Sequence, residues 1–137
     1  QDFQNYIKQH QLTDIVYMAG FRADAHGILK GSDFFVMPSH LEGLGTTVLD
    51  AMGMKIPVIA AEAGGLSEMV VNHKTGFLVP PRDPQALATV MEELLNQRPE
   101  TLRNLSESAC LWAREHFAYQ KMGKDIYELY LYGRRNQ

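Results

Sequence analysis

Four short apolar runs constrain this chain more than any other feature. They are "DIVYM" (residues 14–18), "DFFVM" (33–37), "PVIAA" (57–61) and "GFLV" (76–79), each apolar over nearly its whole length. A strand with one wet face would alternate, so continuous runs of this length suit strands covered on both faces, as in a parallel sheet. Helical stretches near 24–31, 44–54 and 65–72 separate the runs, and another near 2–10 precedes them. Parallel neighbours need a crossover of a dozen or more residues, which these stretches supply. The expected fold is α/β: a Rossmann-like parallel sheet layered with helices.

From Asp83 the pattern becomes helical. Asp83 is the expected N-cap and Pro84 the first helical residue, followed by an inward stripe of Leu87, Val90, Met91, Leu94 and Leu95. Pro99 opens a second helix with Leu102, Leu105, Ala109 and Trp112 on one face. A third starts near Tyr119, with Met122, Ile126, Leu129 and Tyr130 expected inward and Arg134 and Arg135 as its solvated end. No internal repeat interrupts residues 1–137, which read as one unit closed by helices over about 83–134.

Composition narrows the function. A chain of 137 residues supports one core. Its net charge of −3 provides no overall basic field, so no nucleic acid partner is expected. Cys110 is the only cysteine; it reads as a buried packing residue and excludes an internal disulfide. There is no secretory leader and no apolar run near 18 residues, so the expectation is a soluble, cytoplasmic chain. It begins at Gln1 rather than Met, as a piece of something longer would. His10, His26, His73 and His116 show no ligand spacing and receive no role, while His40 lies two residues before an acid and is a candidate cleft residue. Tyr127, Tyr130 and Tyr132 are expected to pack or to border an interdomain contact.

The stretch "PSHLEGLGTTVLDAM" (38–52) concentrates the chemistry. It reads as strand, glycine loop and helix. Gly43 and Gly45 permit close backbone approach, and the helix that follows offers unpaired N–H groups at its positive end. That combination suits phosphate, and the loop lies beyond the carboxyl end of a strand, where open α/β sheets bind ligands. Asp50 shares a helix face with Thr46, Thr47 and Gly53. A carboxylate accepts two hydrogen bonds at once, which suits the vicinal diol of a ribose, and Glu42 could hold a second sugar. The ligand described is a nucleotide-diphosphate sugar. Spacing leaves another reading open, in which Asp50 is a solvent-facing helix residue and Glu42 an ordinary loop acid.

Across "GFRAD", "LKGSDFFVMPSHLEGLGTTVLDAMGMKIPVIAAEAGGLSEMV" and "TGFLVPPRDPQALA", the chain strongly resembles the C-terminal domain of family 4 (group 1) retaining glycosyltransferases of the GT-B type, from about Ile15 to Leu95. The resemblance implies that Glu42 is the first acid of an E-x7-E motif, the catalytic-site residue that approaches the transferred sugar without attacking it. It implies that Asp50 stands where a second glutamate usually holds the ribose, shorter by one methylene, about 1.5 Å. A bridging water is one remedy for that shortening. The resemblance further assigns Ser39 and Gly43, Leu44, Gly45, Thr46 and Thr47 to donor sugar and phosphates. Phe21 and Arg22, in the turn after Gly20, fall at the nucleobase, and the Gly64–Gly65 pair before Glu68 at the cleft.

The same resemblance implies parts outside this chain. The family's C-terminal domain begins with two further strands, which carry the Arg and Lys that neutralise the diphosphate. The acceptor, a glycan or lipid, binds mainly to an N-terminal domain. With the usual strand order 3-2-1-4-5-6, residues 14–18 would lack their neighbour and 34–37 would form an open edge. The chain taken alone is therefore expected to be marginal, oligomeric or strand-swapped, and inactive. No metal is expected, since helix dipole and basic side chains take that role in the family. The resemblance implies retaining hexosyl transfer in polysaccharide biosynthesis, in the cytoplasm or at the inner membrane face. The alternatives are a non-catalytic nucleotide-sugar or glycan module and a GT-B nucleotide-sugar epimerase. A phosphorylase-like protein needs a cofactor lysine, and no lysine here sits in a suitable motif.

Overall fold

The computed structural model of the chain describes residues 3–135, with side chains as far as Tyr132. Three strands, β1 (Phe35–Met37), β2 (Val58–Ala61) and β3 (Phe77–Val79), pair in parallel in the order β1-β2-β3. Their register sets Val36 opposite Ile59 and Ala60 opposite Leu78. Each crossover carries a helix: α3 (Thr46–Gly53) joins β1 to β2, and α4 (Leu66–Met69) joins β2 to β3. Before the sheet come α1 (Phe3–Gln9) and α2 (Ala25–Lys30); after it come α5 (Pro84–Leu95), α6 (Pro99–Phe117) and α7 (Tyr119–Arg135).

The sheet divides the core into two layers, and the period-2 alternation of strand side chains decides which residue faces which. Val58 and Ala60 of β2 pack on one face against Val48, Ala51, Met52, Leu66 and Met69 of α3 and α4. Ile59 points the other way, joining Phe77 and Val79 of β3 and Leu94 of α5. All four residues of β2 are buried, which accounts for the unalternating run in the sequence. Helix α6 serves both layers, with Leu102 and Leu105 against the second and Ala109 and Ala113 in the first. It is fixed to α4 where the Trp112 indole N–H donates to the Met69 carbonyl at 3.0 Å. Cys110 is buried as expected, its thiol 3.6 Å from the Gly53 carbonyl oxygen.

Three expectations need correction. Residues 14–18 form no strand; they run as turn and irregular chain, with Ile15 79% and Tyr17 85% exposed. The run is apolar enough for a buried strand, but a strand persists only where a neighbouring strand takes its N–H and C=O groups, and among the described residues no strand pairs with it. Leu95 is exposed at 71%, while Leu94 next to it is buried, so the inward stripe of α5 ends one residue earlier. In α7, Met122, Ile126, Leu129 and Tyr130 are 60–77% exposed rather than inward. Among the described elements its main neighbour is α6, and these apolar side chains stay largely exposed. Tyr127 and Tyr132 are likewise exposed, and the side chains of Arg134 and Arg135 lie outside the described residues. The edge position foreseen for 34–37 is observed: β1 is the half-buried outer strand of the sheet. Among the described residues no helix is long and apolar enough to cross a membrane.

Candidate functional site

The glycine loop sits where the strand–loop–helix pattern placed it. Strand β1 ends at Met37, Ser39 is half-buried beyond it, and Glu42, Gly43, Leu44 and Gly45 lead into α3. Gly45 is the N-cap of α3, and no side chain closes that end of the helix. The positive end of α3 is therefore left to the loop and to whatever the loop holds.

A second glycine pair holds this loop in place. Gly64 has φ of 51°, and a Cβ there would collide with the carbonyl oxygen of Glu42. A Cβ on Gly65 would come within 2.5 Å of the Gly43 carbonyl oxygen, and the Gly65 N–H donates to the Glu42 carbonyl at 3.3 Å. Gly45 in turn has no room for a side chain beside Leu66, the first residue of α4. Two turns that follow different strands are thus in backbone contact, and only glycine permits the approach. Gly65, expected at the cleft, acts here as the support under the acidic loop. Glu42 itself is half-buried, and Glu68, after the pair, is exposed.

Asp50 lies about one turn further along α3, near Thr47. Its side chain is 46% exposed and borders a cleft of about 410 Å³, together with Gly20, Arg22, His26, Thr47 and Phe35. The carboxylate in an otherwise apolar helix is explained by that opening: Val48, Ala51 and Met52 face the core, and Asp50 faces the cleft. Gly20 turns with φ of 63°, which sends the chain from the exposed 14–18 segment into the wall of the cleft. The Arg22 guanidinium donates to both Asp24 carboxylate oxygens, at 2.8 and 2.7 Å. This hydrogen bonding raises the Arg22 pKa and holds the Asp24 carboxyl below its ordinary value.

Of the residues named from sequence, the structure brings Arg22, Thr47 and Asp50 to this cleft. Ser39, Glu42, Gly43, Leu44, Gly45 and Thr46 stand together on the loop and the start of α3, and Gly65 supports them. Phe21 does neither: it is 97% exposed and does not line the cleft. His40 is exposed on the loop.

Two features escaped the sequence. His26, given no role, stands in the Asp50 cleft with its Nε2 3.5 Å from Asp50 Oδ2. No spacing rule joins the two positions, because the packing of α2 on α3 creates the contact. A smaller cleft of about 180 Å³ opens at the carboxyl ends of the three strands, walled by Pro38, Ala61, Val79 and Arg82. Among the described residues no three His, Cys, Asp or Glu side chains cluster as metal ligands would.

Comparison with known proteins identifies the family and the fold. Residues 1–112 match the protein family described as glycosyl transferases group 1. Sulfoquinovosyl transferase SQD2 of Arabidopsis thaliana is 42% identical over 80 residues, 56% of this chain and 16% of that protein. HepE of Anabaena, solved in complex with UDP, superposes with a TM-score of 0.85 at 28% identity, over 93% of this chain and 35% of its own. The C-terminal domain of LpcC, a group 1 family protein of Francisella tularensis, gives a TM-score of 0.74 at 28% identity, over 85% of this chain and 60% of that one. The parallel sheet and its helices match the C-terminal domain of the GT-B fold. The chain spans about a third or less of the length of the curated relatives it matches.

Proposed function

Because the chain belongs to the group 1 glycosyltransferases, we propose that it supplies the nucleotide-sugar-binding side of the cleft in a retaining, family 4 enzyme. The observation that carries this reading is the backbone contact of Gly64 and Gly65 with Glu42 and Gly43. It holds an acid on a glycine loop at the open N-terminus of α3, with a second acid, Asp50, one turn along the same helix beside Thr47. Residues 1–137 would then form part of a C-terminal domain, with the acceptor bound mainly by a domain outside this chain.

In this reading the diphosphate of the donor lies at Gly43, Leu44, Gly45, Thr46 and Thr47, where the α3 amides stabilise the charge that grows as it leaves. Ser39 adds a hydroxyl on the sugar side. Glu42 accepts hydrogen bonds from the transferred sugar and fixes its anomeric carbon toward the acceptor. Asp50 takes the ribose, and Gly20 and Arg22 border the base. The acceptor hydroxyl attacks from the leaving-group face, and the departing diphosphate oxygen takes its proton, which preserves the anomeric configuration. UDP-sugars are the favoured donor class: HepE was also solved with UDP-glucose, at a TM-score of 0.84 and 27% identity. A hexose as the transferred group and a glycan or lipid as acceptor complete the proposal.

The test is Glu42→Gln in the full-length protein. Turnover should fall by about a hundredfold through misplacement of the sugar, with UDP affinity nearly unchanged. Equal loss of both would overturn the assignment of Glu42. Interconversion of free nucleotide sugars without acceptor would replace transfer with epimerisation.

A further inference from the structure

Asp50 is not the only polar side chain aimed into its cleft. His26, in the first turn of α2, places Nε2 3.5 Å from Asp50 Oδ2. That separation exceeds the usual length of a hydrogen bond between nitrogen and oxygen. Among the described residues neither side chain has another partner. Both remain solvent-accessible, at 71% and 46%, so a ligand entering the cleft meets them together.

Their chemistry limits what such a ligand can be. A carboxylate only accepts, whereas neutral imidazole offers one donor and one acceptor. A group that satisfies both must donate to Asp50 and, one atom farther along, donate to or accept from His26. A vicinal diol does this with two adjacent hydroxyls. A phosphate does not, because it would set one anion against another. The short side chain of Asp50 suits one hydroxyl of such a diol, and His26, 3.5 Å from the carboxylate, is close enough to take the second. The rest of the cleft suits the nucleoside that carries such a diol: about 410 Å³, with Ala19, Leu29 and Phe35 as apolar wall and Ser32 and Thr47 as further polar groups. The geometry is held by the scaffold, since Leu29 of α2 is buried in the same layer as Val48 and Ala51 of α3.

We infer that His26 is a second reader of the ribose and, with Asp50, sets selectivity for ribonucleotides over 2′-deoxyribonucleotides. The inference rests on the nucleotide-sugar reading above. The experiment measures UDP and 2′-deoxy-UDP binding by isothermal titration to the full-length protein and to its Asp50→Ala, His26→Ala and His26→Gln variants. The unaltered protein should prefer UDP by about tenfold, the equivalent of one or two hydrogen bonds. His26→Ala and Asp50→Ala should each remove most of that preference, mainly by weakening UDP. His26→Gln should retain it, because the amide can donate and accept at similar reach. His26 is exposed, so these variants are expected to fold. If His26→Ala weakened both nucleotides equally, or neither, while Asp50→Ala removed the preference, the role of His26 would be overturned and the nucleotide reading would stand. If the unaltered protein bound neither nucleotide, that reading would fall, and this inference with it.

Discussion

Asp50 and His26 show how differently two residues of one site register in a sequence. Asp50 is visible because it breaks an apolar helix pattern, and helical spacing separates it from Val48, Ala51 and Met52, while the cleft it borders is seen only in the structure. His26 is invisible because its meaning comes from α2 lying against α3, a contact that no local periodicity encodes. Asp83 is readable for the opposite reason, since a cap is a local interaction: its carboxylate accepts from the Ala86 N–H at 2.9 Å. Asp83→Ala should therefore lower stability by about 1 kcal/mol, measurable as a shift in the denaturant midpoint without a change in slope. Arg22 and Asp24 make a further prediction at this scale. The folded-state pKa of Asp24 lies below its ordinary value because of Arg22, so the pair's contribution is present above the unfolded pKa. It is lost as pH falls through the folded one. Both side chains are exposed, at 46% and 61%, so solvent screens the pair and its effect on stability is small. Arg22→Ala should move the carboxylate titration of Asp24 upward by NMR, and an unmoved titration would refute the pairing.

Elements whose support is local were legible; those that need a distant partner were not. The three paired strands and the helices of their crossovers fall where the apolar runs and glycines put them. Residues 14–18 carry the same signal yet form no strand, because pattern measures fitness for a sheet and not the presence of a neighbouring strand. The α7 stripe teaches the same lesson for helices: its period was readable, its cover was not. Leu94 and Leu95 allow a direct check. Leu94→Ala should cost about 2–5 kcal/mol as a core cavity, whereas Leu95→Ala should stay within about 0.5 kcal/mol. At the site, the contact between the two glycine turns is the element that matters. Gly65→Ala should force the Gly43 carbonyl away, at a cost of about 1–3 kcal/mol, and should lower nucleotide affinity along with stability. Lost stability with unchanged affinity would mean that the loop does not depend on its support.

At the scale of the whole molecule, much apolar surface remains open. Ile15, Tyr17 and Phe21 are exposed before the sheet, β1 has an unpaired edge, and Met122, Ile126 and Leu129 line the outside of α7. The 137 residues expressed alone should therefore associate, through the β1 edge or by exchange of residues 14–18. Light scattering should detect oligomers, and a monodisperse monomer that unfolds cooperatively would contradict this. The central claim, that the α3 loop and the cleft beside it form one donor site, is tested most directly by a crystal structure of the full-length protein with UDP. The diphosphate is expected at Gly43 to Thr47 and the ribose between Asp50 and His26. UDP bound instead in the smaller cleft at Pro38 and Arg82 would contradict it.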